Sequence, residues 1–76
     1  MSIAVSVRSV YKELSGAIHL ILQREDGRFE NYYNVREIED KGYDLRKATR
    51  IFNFDTEAAA EKAMRRDRPN SFKVDK

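Results

Sequence analysis

Ala17–Val35, AIHLILQREDGRFENYYNV, is the stretch whose reading decides the fold. Ile18, Leu20 and Leu22 recur with the period of two that marks a half-buried strand, and a second β-favouring run, Phe29–Val35, follows. Between them stands Asp26-Gly27. A two-residue type I′ turn needs φ > 0 at both central residues, and Asp-Gly supplies it. That turn sets a register: Glu25 faces Arg28, Arg24 faces Phe29, Leu22 faces Asn31, Leu20 faces Tyr33 and Ile18 faces Val35. Cross-strand partners share a face. One face therefore collects Ile18, Leu20, Leu22, Phe29, Tyr33 and Val35, the expected core. The other collects His19, Ile21, Gln23, Glu25, Arg28, Glu30, Tyr32 and Asn34.

On the N-terminal side, Ile3, Val5 and Val7 alternate with Ala4, Ser6 and Arg8, which predicts a strand running to about Lys12. Leu14-Ser15-Gly16 is the next break. Beyond the hairpin, residues 36–46, REIEDKGYDLR, allow a short helical turn, a splayed strand end around Gly42, or a solvated loop tied down by Ile38, Tyr43 and Leu45. Lys47–Phe54 reads as a fourth strand with Phe52 and Phe54 inward.

The period then changes. Asp55-Thr56 is an N-cap signal ahead of a run of strong helix formers, residues 57–66, with Ala60, Ala63 and Met64 as its apolar stripe and Ala59 alongside. Pro69-Asn70 ends the helix. Phe72 and Val74 form a short last strand, expected at a sheet edge. The predicted fold is α+β: one domain, residues 1–76, with an antiparallel sheet of four to five strands in β-β-β-β-α-β order. The single helix can cover one sheet face only.

Size and composition narrow the function. A domain of 76 residues buries only about 60% of the surface its unfolded chain exposes, which leaves little for an enclosed active site. The expectation is a non-enzymatic protein without a cofactor. There is no cysteine, consistent with cytoplasmic folding, no apolar run of membrane-spanning length, and an N-terminus that alternates where a signal peptide would not. Charge is uneven: six Lys/Arg against eight Asp/Glu in residues 1–45 (−2), and nine against five in residues 46–76 (+4), within a net +2. The basic C-terminal part suits an acidic partner.

No catalytic or metal pattern emerges. His19 is the only histidine and reads as a surface strand residue beside Asn34 and Lys12. Glu37, Glu39 and Asp40 lack the ordered spacing of a hard-cation loop. Lys62, Arg65, Arg66 and Arg68, with Arg46, Lys47 and Arg50, could contact phosphate. The helical members of that set also complement the helix macrodipole, and Glu61–Arg65 is a favourable i,i+4 pair. The outer sheet face offers more. If Ser15-Gly16 closes a two-residue turn, Val10, Ile21 and Tyr32 form an apolar row bordered by Arg8, Lys12 and His19, with Tyr43 nearby. Such a rimmed patch suits a protein partner, unless residues 36–46 cover it.

The expected function is a small protein-binding module, an inhibitor or regulator. The alternative is a nucleic-acid-binding domain using sheet aromatics and the basic segment. A homodimer through an exposed edge strand is a further arrangement. In size and strand–helix order the chain resembles small phage-encoded proteins that block host machinery, some anti-CRISPR proteins among them. That likeness is one of architecture; it rests on no motif residue and assigns no residue a role.

Overall fold

A computed structural model describes residues 6–38 and 42–74. The predicted start of the first strand at Ile3 and Val5, and the acidic pair Glu39 and Asp40, lie outside the described residues. Six strands and one helix follow in the order β1 (Ser6–Lys12), β2 (Ile18–Gln23), β3 (Phe29–Ile38), β4 (Gly42–Asp44), β5 (Thr49–Phe54), α1 (Glu57–Asp67) and β6 (Phe72–Val74). The pairings are all antiparallel, in the order β4-β3-β2-β1-β6, with β5 also on β3. This is the α+β sheet with one helix that the sequence predicts. Of the 36–46 stretch, residues 36–38 end β3 and Gly42–Asp44 form a short β4 paired to it, the splayed strand end among the three alternatives.

The β2–β3 turn is not the two-residue turn expected. The Arg24 N–H donates to the Arg28 carbonyl at 2.8 Å and the Gly27 N–H to the Arg24 carbonyl at 3.0 Å, so the loop holds three residues, Glu25-Asp26-Gly27. Gly27 sits at φ +90°, as the three-residue hairpin requires of its last loop residue. Asp26 Oδ1 braces the loop by accepting from the Arg28 N–H at 3.0 Å. The β1–β2 turn repeats the pattern: Glu13 N–H to Ala17 carbonyl and Gly16 N–H to Glu13 carbonyl, both 2.9 Å, with Gly16 at φ +98°.

One extra loop residue slips the register by one, and with a side-chain period of two that slip exchanges the faces. Leu20 now pairs with Tyr32, Ile21 with Asn31 and Leu22 with Glu30. The single core face expected from the sequence is thereby split. Tyr11, Ile21, Phe29 and Tyr33 form one cluster with Ala60 and Met64 of the helix, while Val10, Ile18, Leu20, Leu22 and Val35 form a second. Ile18 and Val35 stay paired because β3 carries a bulge: the register shifts between Ile18 and Leu20, and Asn34 takes φ +62°. The expected Glu25–Arg28 pair is gone with the two-residue turn; Arg28 instead lies 4.0 Å from Asp55.

The sheet is consequently apolar on both faces. Tyr43, Leu45 and Ala48 pack against the second cluster, so the face away from the helix is covered rather than open. A second bulge, at Asn53 (φ +76°), lets Ile51 and Phe54 both pack on the helix-side cluster while Phe52 turns outward and is exposed, which corrects the inward placement of Phe52. The helix follows its sequence signals closely. Thr56 Oγ1 accepts from the Ala59 N–H at 3.1 Å, and Ala60, Ala63 and Met64 are buried. Ala59 is exposed, and Glu61 pairs across to Lys73 at 3.6 Å instead of along the helix to Arg65.

Ile21 separates the two registers experimentally. Under the helix and 0% exposed, it loses about 2–5 kcal/mol on Ile21→Ala, read as a lowered midpoint in urea unfolding. In the two-residue register the same change would be nearly silent.

Candidate functional site

The residues that the sequence placed on one binding surface are dispersed. Val10 pairs with Leu20, and Leu20 with Tyr32, so the row is Val10–Leu20–Tyr32, extended to Val74 on β6. Ile21 belongs to the opposite face. Val10 lies in the covered cluster, and Tyr43 is part of its cover. Arg8 sits at a register shift in β1, exposed, 3.8 Å from Glu57 at the helix start. Lys12 is half-buried opposite Phe72.

His19 is buried, not a surface residue. Its Nε2 meets Glu13 Oε2 at 2.7 Å, its Nδ1 accepts the Asn34 N–H at 3.0 Å, and its ring lies edge-on to Tyr33 at 5.6 Å. The Asn34 bond fixes the tautomer, with the proton on Nε2 toward the carboxylate. A ring 0% exposed and committed on both nitrogens reaches no substrate; it clamps the bulge at Asn34. Tyr33 continues the network to Asp67 (3.0 Å), under the guanidinium of Arg68, and Asn31 ties the sheet to the helix through the Ala60 carbonyl at 2.9 Å.

The basic residues divide between the faces. Lys62, Arg65 and Arg66 stand exposed on the helix, and Arg68 lies over Tyr33 on the helix side. Arg46 and Lys47 lie in the segment covering the other face, and Arg50 pairs with Tyr32 there. The structure does not bring the seven into one phosphate patch.

What it does assemble is a cluster around Glu30, which sequence reasoning placed on the solvent face without a role. Glu30 is only 3% exposed. It accepts from Arg24 Nη1 (3.1 Å), Arg50 Nε (3.1 Å) and Nη2 (3.0 Å), and the Tyr32 hydroxyl (2.8 Å). Burial by itself raises a carboxyl; here the bonds from Arg50 and Tyr32, with the charge of Arg24, outweigh it and hold Glu30 below its ordinary value. Burial, and then the bond to Glu30, push Tyr32 up. Arg50, fixed to Glu30 through two nitrogens, lies 4.5 Å over the ring of Phe52, which is 49% exposed. The result is a rigid surface of Tyr32, Arg50 and Phe52 at the β5 edge, fastened from below by one buried carboxylate. The Glu30–Tyr32–Arg50 spacing was visible in sequence, but only β3–β5 pairing joins it.

Among the described residues no group of three or more His, Asp or Glu side chains could hold a metal ion, and no helix is long and apolar enough to cross a membrane. No protein-family model, curated protein or solved structure matches the chain.

Because Glu30 is held low in the folded state, its contribution to stability is present above the unfolded carboxyl value of about 4.3 and is lost as pH falls below it. Glu30→Gln is expected to cost about 1–3 kcal/mol at neutral pH, with the gap to wild type closing toward pH ~3. Urea unfolding across that range gives both values.

Proposed function

We propose that this chain is a small non-enzymatic protein-binding module, an inhibitor or regulator working in the cytoplasm, and that it engages its partner through Tyr32, Arg50 and Phe52. The observation that carries this reading is the stacking of half-exposed Phe52 on an Arg50 already locked to buried Glu30. Aromatic and arginine side chains are the residues enriched at binding hot spots. Side chains fixed before contact lose less freedom on binding, so more of their contact energy appears as affinity. The size of the chain and the resemblance in architecture to phage-encoded blockers of host machinery agree with that role.

The surface also explains a cost. A carboxylate taken out of water at Glu30 is expensive, and two guanidiniums and a hydroxyl are spent to compensate it. A sheet face built for stability alone would carry an apolar residue at position 30.

Phe52 is exposed, so Phe52→Ala leaves the fold intact while removing the central contact. Affinity capture with the wild-type chain from its native host, followed by mass spectrometry with and without nuclease, is expected to return a protein that resists nuclease and whose Kd weakens about 30-fold or more with Phe52→Ala. Equal capture by wild type and Phe52→Ala defeats the reading, and loss of all capture on nuclease treatment transfers it to a nucleic acid.

A further inference from the structure

β3 is longer than either strand on its outer edge. β5 reaches it as far as the Tyr33–Thr49 pair and β4 begins at the Arg36–Asp44 pair, so neither Asn34 nor Val35 has a partner in either ladder. The chain crosses this gap through residues 45–48, closed by the Ala48 N–H on the Leu45 carbonyl at 3.2 Å. The gap is a notch. A cleft of about 230 Å³ opens there, lined by Asn34, Arg36, Asp44, Arg46 and Lys47.

Three cations and one carboxylate line it. Asp44 takes Arg46 in a bidentate pair, Nε at 3.0 Å and Nη2 at 2.9 Å, and also accepts the Arg46 N–H at 3.0 Å. Those bonds, with the nearby charge of Arg36, hold Asp44 well below the usual carboxylate range. Asp44 is thus an anion that orients Arg46 and neutralises it. The side chains of Arg36 and Lys47 are both exposed, and neither makes a hydrogen bond or close ion pair among the described residues. With Arg36, Arg46 and Lys47 against Asp44, the lining carries a net excess of positive charge around a cleft made by a break in the sheet edge. A carboxylate would satisfy one of Arg36 and Lys47. A dianion satisfies both, with three or more oxygens to accept their N–H groups.

We propose that this notch binds a phosphate monoester dianion, or inorganic phosphate, with Arg36 and Lys47 as its ligands and Arg46 held at the rim by Asp44. The site is separate from Tyr32, Arg50 and Phe52, and its occupancy does not depend on the partner of that surface. Arg36 carried no signal in the sequence, because only β3–β4 pairing sets it beside the 45–48 turn.

Titration of the ¹⁵N-labelled chain with inorganic phosphate above neutral pH tests this, with sodium chloride at matched ionic strength as the reference. Saturable shifts are expected at Asn34, Arg36 and Lys47, with a Kd on the order of 1 mM. Arg36→Ala and Lys47→Ala should each weaken binding about tenfold, since each removes one charge-assisted contact. The double variant Lys62→Ala/Arg65→Ala removes two exposed cations of the helix that are not part of the notch lining and should change nothing. Shifts that do not saturate, or that chloride reproduces, overturn the proposal, as does equal weakening by the helix variant. A short oligonucleotide without terminal phosphates is the remaining arm. Tighter binding of that diester than of inorganic phosphate would reassign the notch to a nucleic-acid backbone and overturn the monoester reading.

Discussion

The facing of every central side chain depends on where two hairpin loops close. Each loop holds three residues and ends in a glycine with positive φ, Gly16 at +98° and Gly27 at +90°. Few L-residues with a Cβ adopt such a backbone without strain. With both loops closed this way, β1, β2 and β3 share one register, and Val10, Leu20 and Tyr32 stand in line on one face. Ile21 and Tyr33 fall on the other, where the helix lies. A loop shorter by one residue would instead put Ile21 and Glu30 on the same face.

That register makes the middle strand apolar on both sides, and the rest of the molecule answers it. The small residues Ala60 and Ala63 bring the helix down on one face, and Tyr43, Leu45 and Ala48 close over the other. In a chain of 76 residues this doubles the use of a single strand, since β2 serves two clusters with alternate side chains. Bulges make the fit. Asn34 and Asn53 take positive φ, and each re-aims its neighbours in the strand, returning Val35 to the face of Ile18 and leaving Phe52 turned out while Ile51 and Phe54 both pack inward. The bulge at Asn34 is clamped by His19, which gives the buried imidazole a structural role.

Polar groups survive inside this sheet where they have partners. Glu30 has four bonds from three side chains, and Asn31 bridges strand and helix. Among the described residues the buried Asn31 side-chain oxygen and Ser9 hydroxyl have no hydrogen-bond partner. The surface that Glu30 organises is a by-product of the same slip: with Glu30 opposite Leu22 it enters a desolvated face, and two arginines and a tyrosine converge on it.

The sequence by itself determined the elements other than β4, which it left open among three alternatives. Strand alternation, the Thr56 cap, the Ala60–Ala63–Met64 stripe and the breaks at Gly16, Gly27 and Pro69 are local signals, each set by backbone propensity or periodicity within a few residues, and each appears where those signals stand. Tertiary structure alone decided which face each residue takes. Asp-Gly fits both a two-residue and a three-residue loop, and the choice falls to whichever register buries more apolar surface against elements distant in the chain. The candidate site follows the same division. Tyr32 and Arg50 were legible as an aromatic and a cation, but their meeting on Glu30, and that of Arg36 with Lys47, required β3 to pair with β5 and β4. Those pairings join residues as far apart as Phe29 and Phe54, and no local pattern encodes them.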